Sequence, residues 1–364
     1  MIRAAASPGE VRVAAMRGDR LVDYAIDRPG SPGVGDLHRG RVTARMPAMA
    51  GAFVAIGGID GFLPDSEGGT VPEGSILGVR IVRAAQDGKG PRLTARLDEA
   101  ELPPVSAGPP GLLRRGPGAV ERLAALHPDS PVVVDDTVLL ATLRPILGAR
   151  VRLARRAFDD ALEATVEALA DPVAVLPGGA TMFVHATPAL TAIDVDLAGA
   201  TAGRRGKTAT HEAANRAILP ALAAQIRLRN LAGAILVDLA GLSPKRRTAL
   251  GPALEAALAP DPVRPRFLGF SHLGLAEILR PRIHPPLAAL LGGPHAAGLA
   301  ALRKAVQEQA ARPERTQSLA ASPDVADAVL ADVGAMADFR RRTGRGLELQ
   351  VDRGLPTCGW LLKA

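Results

Sequence analysis

Two apolar runs, each carrying aspartate at its end, constrain this chain more than any other feature. The first is LTAIDVD, residues 190–196, and the second is GAILVDL, residues 233–239. Between them, residues 211–229 place Ile218, Leu222 and Ile226 at the spacing of one helix face. Strand, helix, strand in that order predicts a parallel pair joined by a right-handed crossover. The carboxyl ends of such strands lie on one side, where ligands of open α/β sheets gather. Asp194 and Asp196, two positions apart, share one face of their strand. Asp238 closes a buried run and needs a partner or a function. Carboxylates converging there repel one another unless a cation sits between them. Magnesium, which takes a few carboxylates and keeps several waters, suits such a place. From spacing alone, strand capping or pairing with an arginine accounts for the same aspartates.

The flanking sequence predicts a mixed α/β (α+β) chain in five stretches. Residues 1–35 hold two alternating strands, 10–16 and 20–26, around the turn Arg17-Gly18-Asp19. Residues 36–97 read as a β-domain of about five short strands broken by Gly, Pro and Asp, which suits an OB-type barrel. Residues 98–170 begin with a Pro/Gly-rich linker and turn helical, with a short strand at 131–134. A helix over 156–169 carries Phe158, Leu162, Val166 and Leu169 on one side. Residues 171–298 form the α/β region. There, a hairpin turns at Pro177-Gly178-Gly179, a loop covers 198–208, Pro220 kinks the crossover helix, and a helix spans Pro244–Leu258 before the strand PRFLGFS. Residues 299–364 form a small unit with helices at 299–311 and 323–342 and a strand near 347–351.

Composition narrows the class. With 47% apolar residues in 364, a packed globular protein is expected. No apolar run is long enough for a membrane span, and no secretory signal is expected at the amino terminus. Cys358 is the only cysteine, so no disulfide forms within the chain and a reducing cytoplasm fits. The formal charge of +7 attracts phosphate backbones. The heavy use of Arg, Ala, Gly and Pro also arises from genomic base composition. Aromatics are only 2%, so each Phe on a candidate RNA surface carries weight.

AIDVDLAGAT followed by AAQIRLRNLAGAILVDLAGL resembles the catalytic region of the ribonuclease E/G family. EVRVAAMRGDRLVDYAID is similar to its amino-terminal strands. HRGRVTARMPAMAGAFVAIGGIDGFLP resembles its OB-fold RNA-binding domain, and GLLRRG its 5′-end-reading element. The resemblance implies that Asp194 and Asp238 hold magnesium. It sets Asp196 where the family has a supporting asparagine, and Gly241 where the family often has a further aspartate. It implies that Phe53, Phe62 and Lys89 contact RNA in the barrel, and that Arg114 with Arg115 lies at a shortened 5′-phosphate pocket. For Phe53 and Phe62, ordinary barrel core is the alternative, and for the arginine pair a surface loop. The family's Cys-x-x-Cys zinc link is missing, so no structural zinc is expected, and a homodimer would form without it. The chain thus resembles a short form, the catalytic half only.

The resemblance implies a magnesium-dependent endoribonuclease that cleaves single-stranded RNA and leaves 5′-phosphate and 3′-hydroxyl ends, in processing or decay of rRNA and mRNA. Arg227, Arg229, Arg280 and Arg282 are candidates for backbone contact, with structural ion pairs as the alternative for each. The competing reading is a non-catalytic RNA-binding protein that keeps the fold. A magnesium phosphohydrolase for small molecules would leave the barrel unexplained.

Overall fold

Alternating apolar residues set the first strands. In this computed structural model, which describes residues 1–86, 88–102, 108–197, 207–239, 241–314 and 318–363, they form an antiparallel meander. Its strands are β1 (Ile2–Ser7), β2 (Glu10–Arg17) and β3 (Arg20–Asp27). Gly18 makes the β2–β3 turn at φ 60°, a conformation glycine adopts without steric cost. The expected strands are β2 and β3. β1 adds to them, its alternation masked by three consecutive alanines.

The chain then leaves for the barrel. β4 (Leu37–Met46), β5 (Gly51–Ala55), β6 (Asp60–Pro64), β7 (Ile76–Arg83) and β8 (Arg92–Thr94) pair in the order β4-β5-β6-β8-β7, and β7 returns to β4. The closed, OB-like barrel is filled by Val42, Val54, Ile56, Leu63, Val79, Ile81 and Leu93. β9 (Gly111–Arg114) lies along β4 outside it. The way in and the way out meet at a neck. The Asp36 carboxylate accepts from the Gly116 N–H at 2.8 Å, and a Cβ on Gly35 would stand 3.1 Å from the Gly116 Cα. The Asp27 carboxylate accepts from the Ala119 N–H across the same junction.

Beyond the neck, β10 (Val132–Val134) and β11 (Val151–Leu153) add in parallel to β1, giving the sheet order β11-β10-β1-β2-β3. α1 (Ala119–Leu126) and α2 (Thr137–Leu147) cover one face through Val120, Leu123 and Leu143. α3 (Asp160–Glu167) covers the other. It is shorter than the expected helix because Asp159 caps it, accepting from the Leu162 N–H at 2.9 Å. Phe158, Leu162, Val166 and Leu169 are all buried, as their spacing predicts. Arg12 crosses this layer, 2.6 Å from Glu163 and stacked over the Phe158 ring.

The central sheet contains β12 (Val173–Val175), β13 (Thr181–Ala186), β14 (Leu190–Asp196), β15 (Gly233–Asp238), β16 (Arg266–Phe270) and β17 (Ala276–Arg280). Its order is β12-β13-β14-β15-β17-β16. β14 and β15 are parallel, as predicted, while β17 lies outside the expected strands and inserts antiparallel beside β15. α4 (Lys207–Leu228) and α5 (Pro244–Leu258) pack on one face of this sheet. Ile218, Leu222, Ile226, Leu250 and Leu254 meet Ile193, Val195, Ile235 and Val237 there. Pro220 lies inside α4, and the helix runs on past it to Leu228.

α6 (Gly293–Ala311), β18 (Ser318–Ala321), α7 (Pro323–Ala331), α8 (Val333–Thr343), β19 (Glu348–Val351) and β20 (Trp360–Lys363) form the last unit, with sheet order β19-β18-β20. The single helix expected over 323–342 is two. Asp332 leaves helical geometry (φ −87°, ψ 78°) and caps α8 by accepting from the Ala335 N–H at 2.8 Å. Among the described residues no helix is long and apolar enough to cross a membrane.

Two expectations for stability follow. Arg280 and Asp261 form a buried pair at 2.7 Å, only 3% and 5% exposed, and Asn230 accepts a further guanidinium hydrogen bond at 2.6 Å. Asp261→Ala would strand the guanidinium charge and is expected to cost about 3–5 kcal/mol in a guanidinium-chloride unfolding curve. His284 is lowered to about 4 by burial and by the nearby charges of Arg122 and Arg280. Unfolded histidine titrates near pH ~6.5, so between those values the unfolded chain binds the extra proton. This part of the stability is complete above pH ~6.5 and drains away as the pH falls toward about 4. Unfolding midpoints of His284→Gln measured across that range should show a shallower pH slope than the parent.

Candidate active site

Alternation divides the two central strands cleanly. Ile193, Val195, Leu197, Ile235, Val237 and Leu239 are buried on the helix side. Asp194, Asp196 and Asp238 are exposed on the other side. In the parallel register Asp194 stands directly opposite Asp238. Neighbouring strands lie about 4.8 Å apart, so the two carboxylates are side by side. Among the described residues neither carboxylate has an ion-pair or hydrogen-bond partner. Asp196 lies two positions on and is engaged in a polar interaction. The described residues contain no group of three or more His, Cys, Asp and Glu that could hold a metal. The donor set that the described residues offer is thus a pair of adjacent carboxylates with no partner among them. That fits magnesium, which is commonly held by one or two carboxylates while keeping much of its water.

The position three beyond Asp238 has its own logic. Gly241 adopts φ +65°, and a Cβ built on it would stand 2.2 Å from the Nδ1 of His211. That nitrogen is buried and has no hydrogen-bond partner among the described residues. The imidazole from α4 thus occupies the space that a side chain at 241 would need. Sequence reasoning missed this exchange, because a histidine in a helix and a glycine in a loop carry no joint signal. The loop expected over 198–208 falls mostly on residues outside the described ones.

The barrel residues take separate places. Phe53 and Phe62 face each other across β5 and β6 with rings 5.7 Å apart, edge to face. Both are half-buried and stand apart from the barrel's core cluster. Lys89 is exposed on the loop between β7 and β8. Next to it Gly90 presses on β6, where a Cβ would come within 2.3 Å of the Asp60 carbonyl. Arg114 pairs with the buried Glu101, which Arg80 also holds at 2.6 Å. Arg115 reaches the buried Asp36 at 2.7 Å, on the neck. Both arginines remain about half exposed, at 56% and 48% of the side chain.

The four arginines considered for backbone contact are mostly structural. Arg227 pairs with Asp23 at 3.0 Å, Arg280 with Asp261, and Arg229 donates to the Leu169 carbonyl at 3.0 Å and to that of Asp171. Arg282 instead lines a hollow of about 280 Å³ with Arg264 and Arg266. None of these three guanidiniums has an anionic partner among the described residues. The hollow could be found only once β17 had joined β16 to β15.

Gly241→Asp alone is expected to destabilise the protein by about 1–3 kcal/mol, through crowding against His211 and left-handed backbone strain. His211→Ala together with Gly241→Asp should recover part of that loss in thermal unfolding. A single variant as stable as the parent would show that the imidazole does not hold the space.

Comparison with known proteins agrees with this region of the chain. The model described as "Ribonuclease E/G family" matches residues 138–283, which contain both aspartates and the crossover. Ribonuclease E of Escherichia coli (strain K12) is 34% identical over 129 residues, 35% of this chain and 12% of that protein. Ribonuclease G of Salmonella typhimurium is 38% identical over 109 residues, 29% of this chain and 22% of the relative. Ribonuclease G of Escherichia coli (strain K12) is 36% identical over 118 residues, 32% and 24% respectively. The chain thus matches less than a quarter of the length of these curated relatives. Over residues 138–283 the chain is therefore similar to the ribonuclease E/G family.

Proposed function

We propose that the protein is a magnesium-dependent endoribonuclease that cleaves single-stranded RNA in the cytoplasm, in processing or decay of rRNA and mRNA. The observation that carries this reading is the register of Asp194 against Asp238, two exposed carboxylates that have no partner among the described residues and lie within the family-matched region. Bound magnesium would supply an activated water and neutralise charge on the attacked phosphate, giving 5′-phosphate and 3′-hydroxyl products.

The chain's own residues have distinct tasks in this reading. Asp194 and Asp238 hold the ion, and Asp196 supports them from the same strand face. Phe53 and Phe62 offer base-stacking rings on the barrel, and Lys89 draws the phosphates toward them. Arg114 and Arg115, fixed by Glu101 and Asp36 yet half exposed, present donors to a 5′-terminal phosphate. The arginine-lined hollow adds cationic surface near the start of β15.

The test is cleavage of a 5′-labelled single-stranded oligonucleotide with and without magnesium. Asp194→Asn and Asp238→Asn should each lower the rate by at least about two orders of magnitude while filter retention of the RNA persists. A wild-type protein that binds the oligonucleotide in magnesium but never cuts it would replace this reading with a non-catalytic RNA-binding one.

A further inference from the structure

Phe183, Asp194 and Asp238 stand in one row across neighbouring strands. Phe183 faces Asp194 between β13 and β14, and Asp194 faces Asp238 between β14 and β15. Residues in register point to the same face, about 4.8 Å apart. The row continues onto the edge strand, where Val173 faces Phe183 and is 39% exposed. In the next row Val175, 80% exposed, faces Thr181, which faces Asp196. An apolar shelf therefore adjoins the carboxylate pair on the open face of the sheet.

The core does not account for this ring. Its strand neighbours Met182 and Val184 belong to or pack against the central core, whereas Phe183 is half-buried and lies outside the hydrophobic clusters of the described residues. The other phenyl rings have evident roles. Phe158 and Phe339 are buried, Phe267 and Phe270 pair at 5.2 Å against the core, and Phe53 pairs with Phe62.

We propose that Phe183, flanked by Val173 and Val175, stacks the base of a nucleotide adjoining the phosphate that a cation at Asp194 and Asp238 would hold. The inference rests on the ribonuclease reading above and adds a positioning surface to it. A phosphate over the carboxylate pair leaves its nucleoside several ångströms to one side, and one strand away the sheet offers an uncharged ring. A cation held by the carboxylates would attract the phosphate, and the uncharged ring beside them is left to the base. Stacking accepts any base, and the shelf fixes position without selecting sequence.

Oligonucleotides with one abasic residue at successive positions around the cleavage site test this, with wild-type protein and with Phe183→Leu and Phe183→Trp. At one position the missing base should lower wild-type kcat/KM about tenfold. Phe183→Leu should lose a similar factor on intact RNA and nothing more on that abasic substrate, while Phe183→Trp retains activity. In the Asp194→Asn background, 2-aminopurine at the same position should be quenched on binding, and Phe183→Leu should remove the quenching. Additive losses, or quenching that survives Phe183→Leu, overturn the shelf. A wild type that cuts nothing strikes the ribonuclease reading instead, and the fluorescence arm still decides whether the ring stacks a base.

Discussion

The parallel pairing of β14 with β15 aligns Asp194 with Asp238, and burial leaves the pair little freedom to choose another register. A slip of one residue would turn Ile193 and Val195, or Ile235 and Val237, out of the core and drive aspartate toward α4 and α5. Burying each such apolar side chain is worth about 1.5–3 kcal/mol, so a slip forfeits several of these at once and adds the cost of a buried charge. The exposed carboxylates are thus positioned by residues that never approach them. The apolar face of α4 sets the geometry of the acidic face opposite.

Net charge is a poor guide to where a polyanion would lie on this molecule. Much of the arginine content is engaged internally. Arg12 meets Glu163, Arg45 meets Asp65, Arg28 and Arg303 converge on Glu10, and Arg341 and Arg342 converge on Asp136. What distinguishes Arg264, Arg266 and Arg282 is position, since they share a hollow that contributes no carboxylate. An ion pair within the fold satisfies a guanidinium that a count of charges still records as available.

Legibility in the sequence followed the length and directness of the signal. The crossover was clear because periodicity over α4 and apolar runs at β14 and β15 agree, and α5 was bounded by Pro244 at its start. The closed barrel was legible as a count of short strands between turn residues. β17 and the break at Asp332 were not. β17 is five residues long, and its place beside β15 depends on long-range pairing. Asp332 reads as one more helical residue until its side chain is seen capping Ala335. At the candidate site the aspartates stood out as polar ends of apolar runs. Phe183 was hidden because an aromatic residue in a strand is ordinary, and only the register on both sides gives it a neighbourhood. The link between His211 and Gly241 is likewise spatial, and spacing along the chain does not encode it.

The neck at Asp27, Asp36 and Gly116 gives the barrel the status of a cassette. Because the outgoing and returning chains touch there, the ends of the excursion are already closed, and the meander feels little of what lies between them. The entropy of holding two chain ends together grows only slowly with the length they enclose. Such a junction lets the enclosed module lengthen, shrink or be exchanged while β1, β2, β3, β10 and β11 keep their pairing. The barrel and the acidic sheet can then diverge at different rates within one continuous polypeptide.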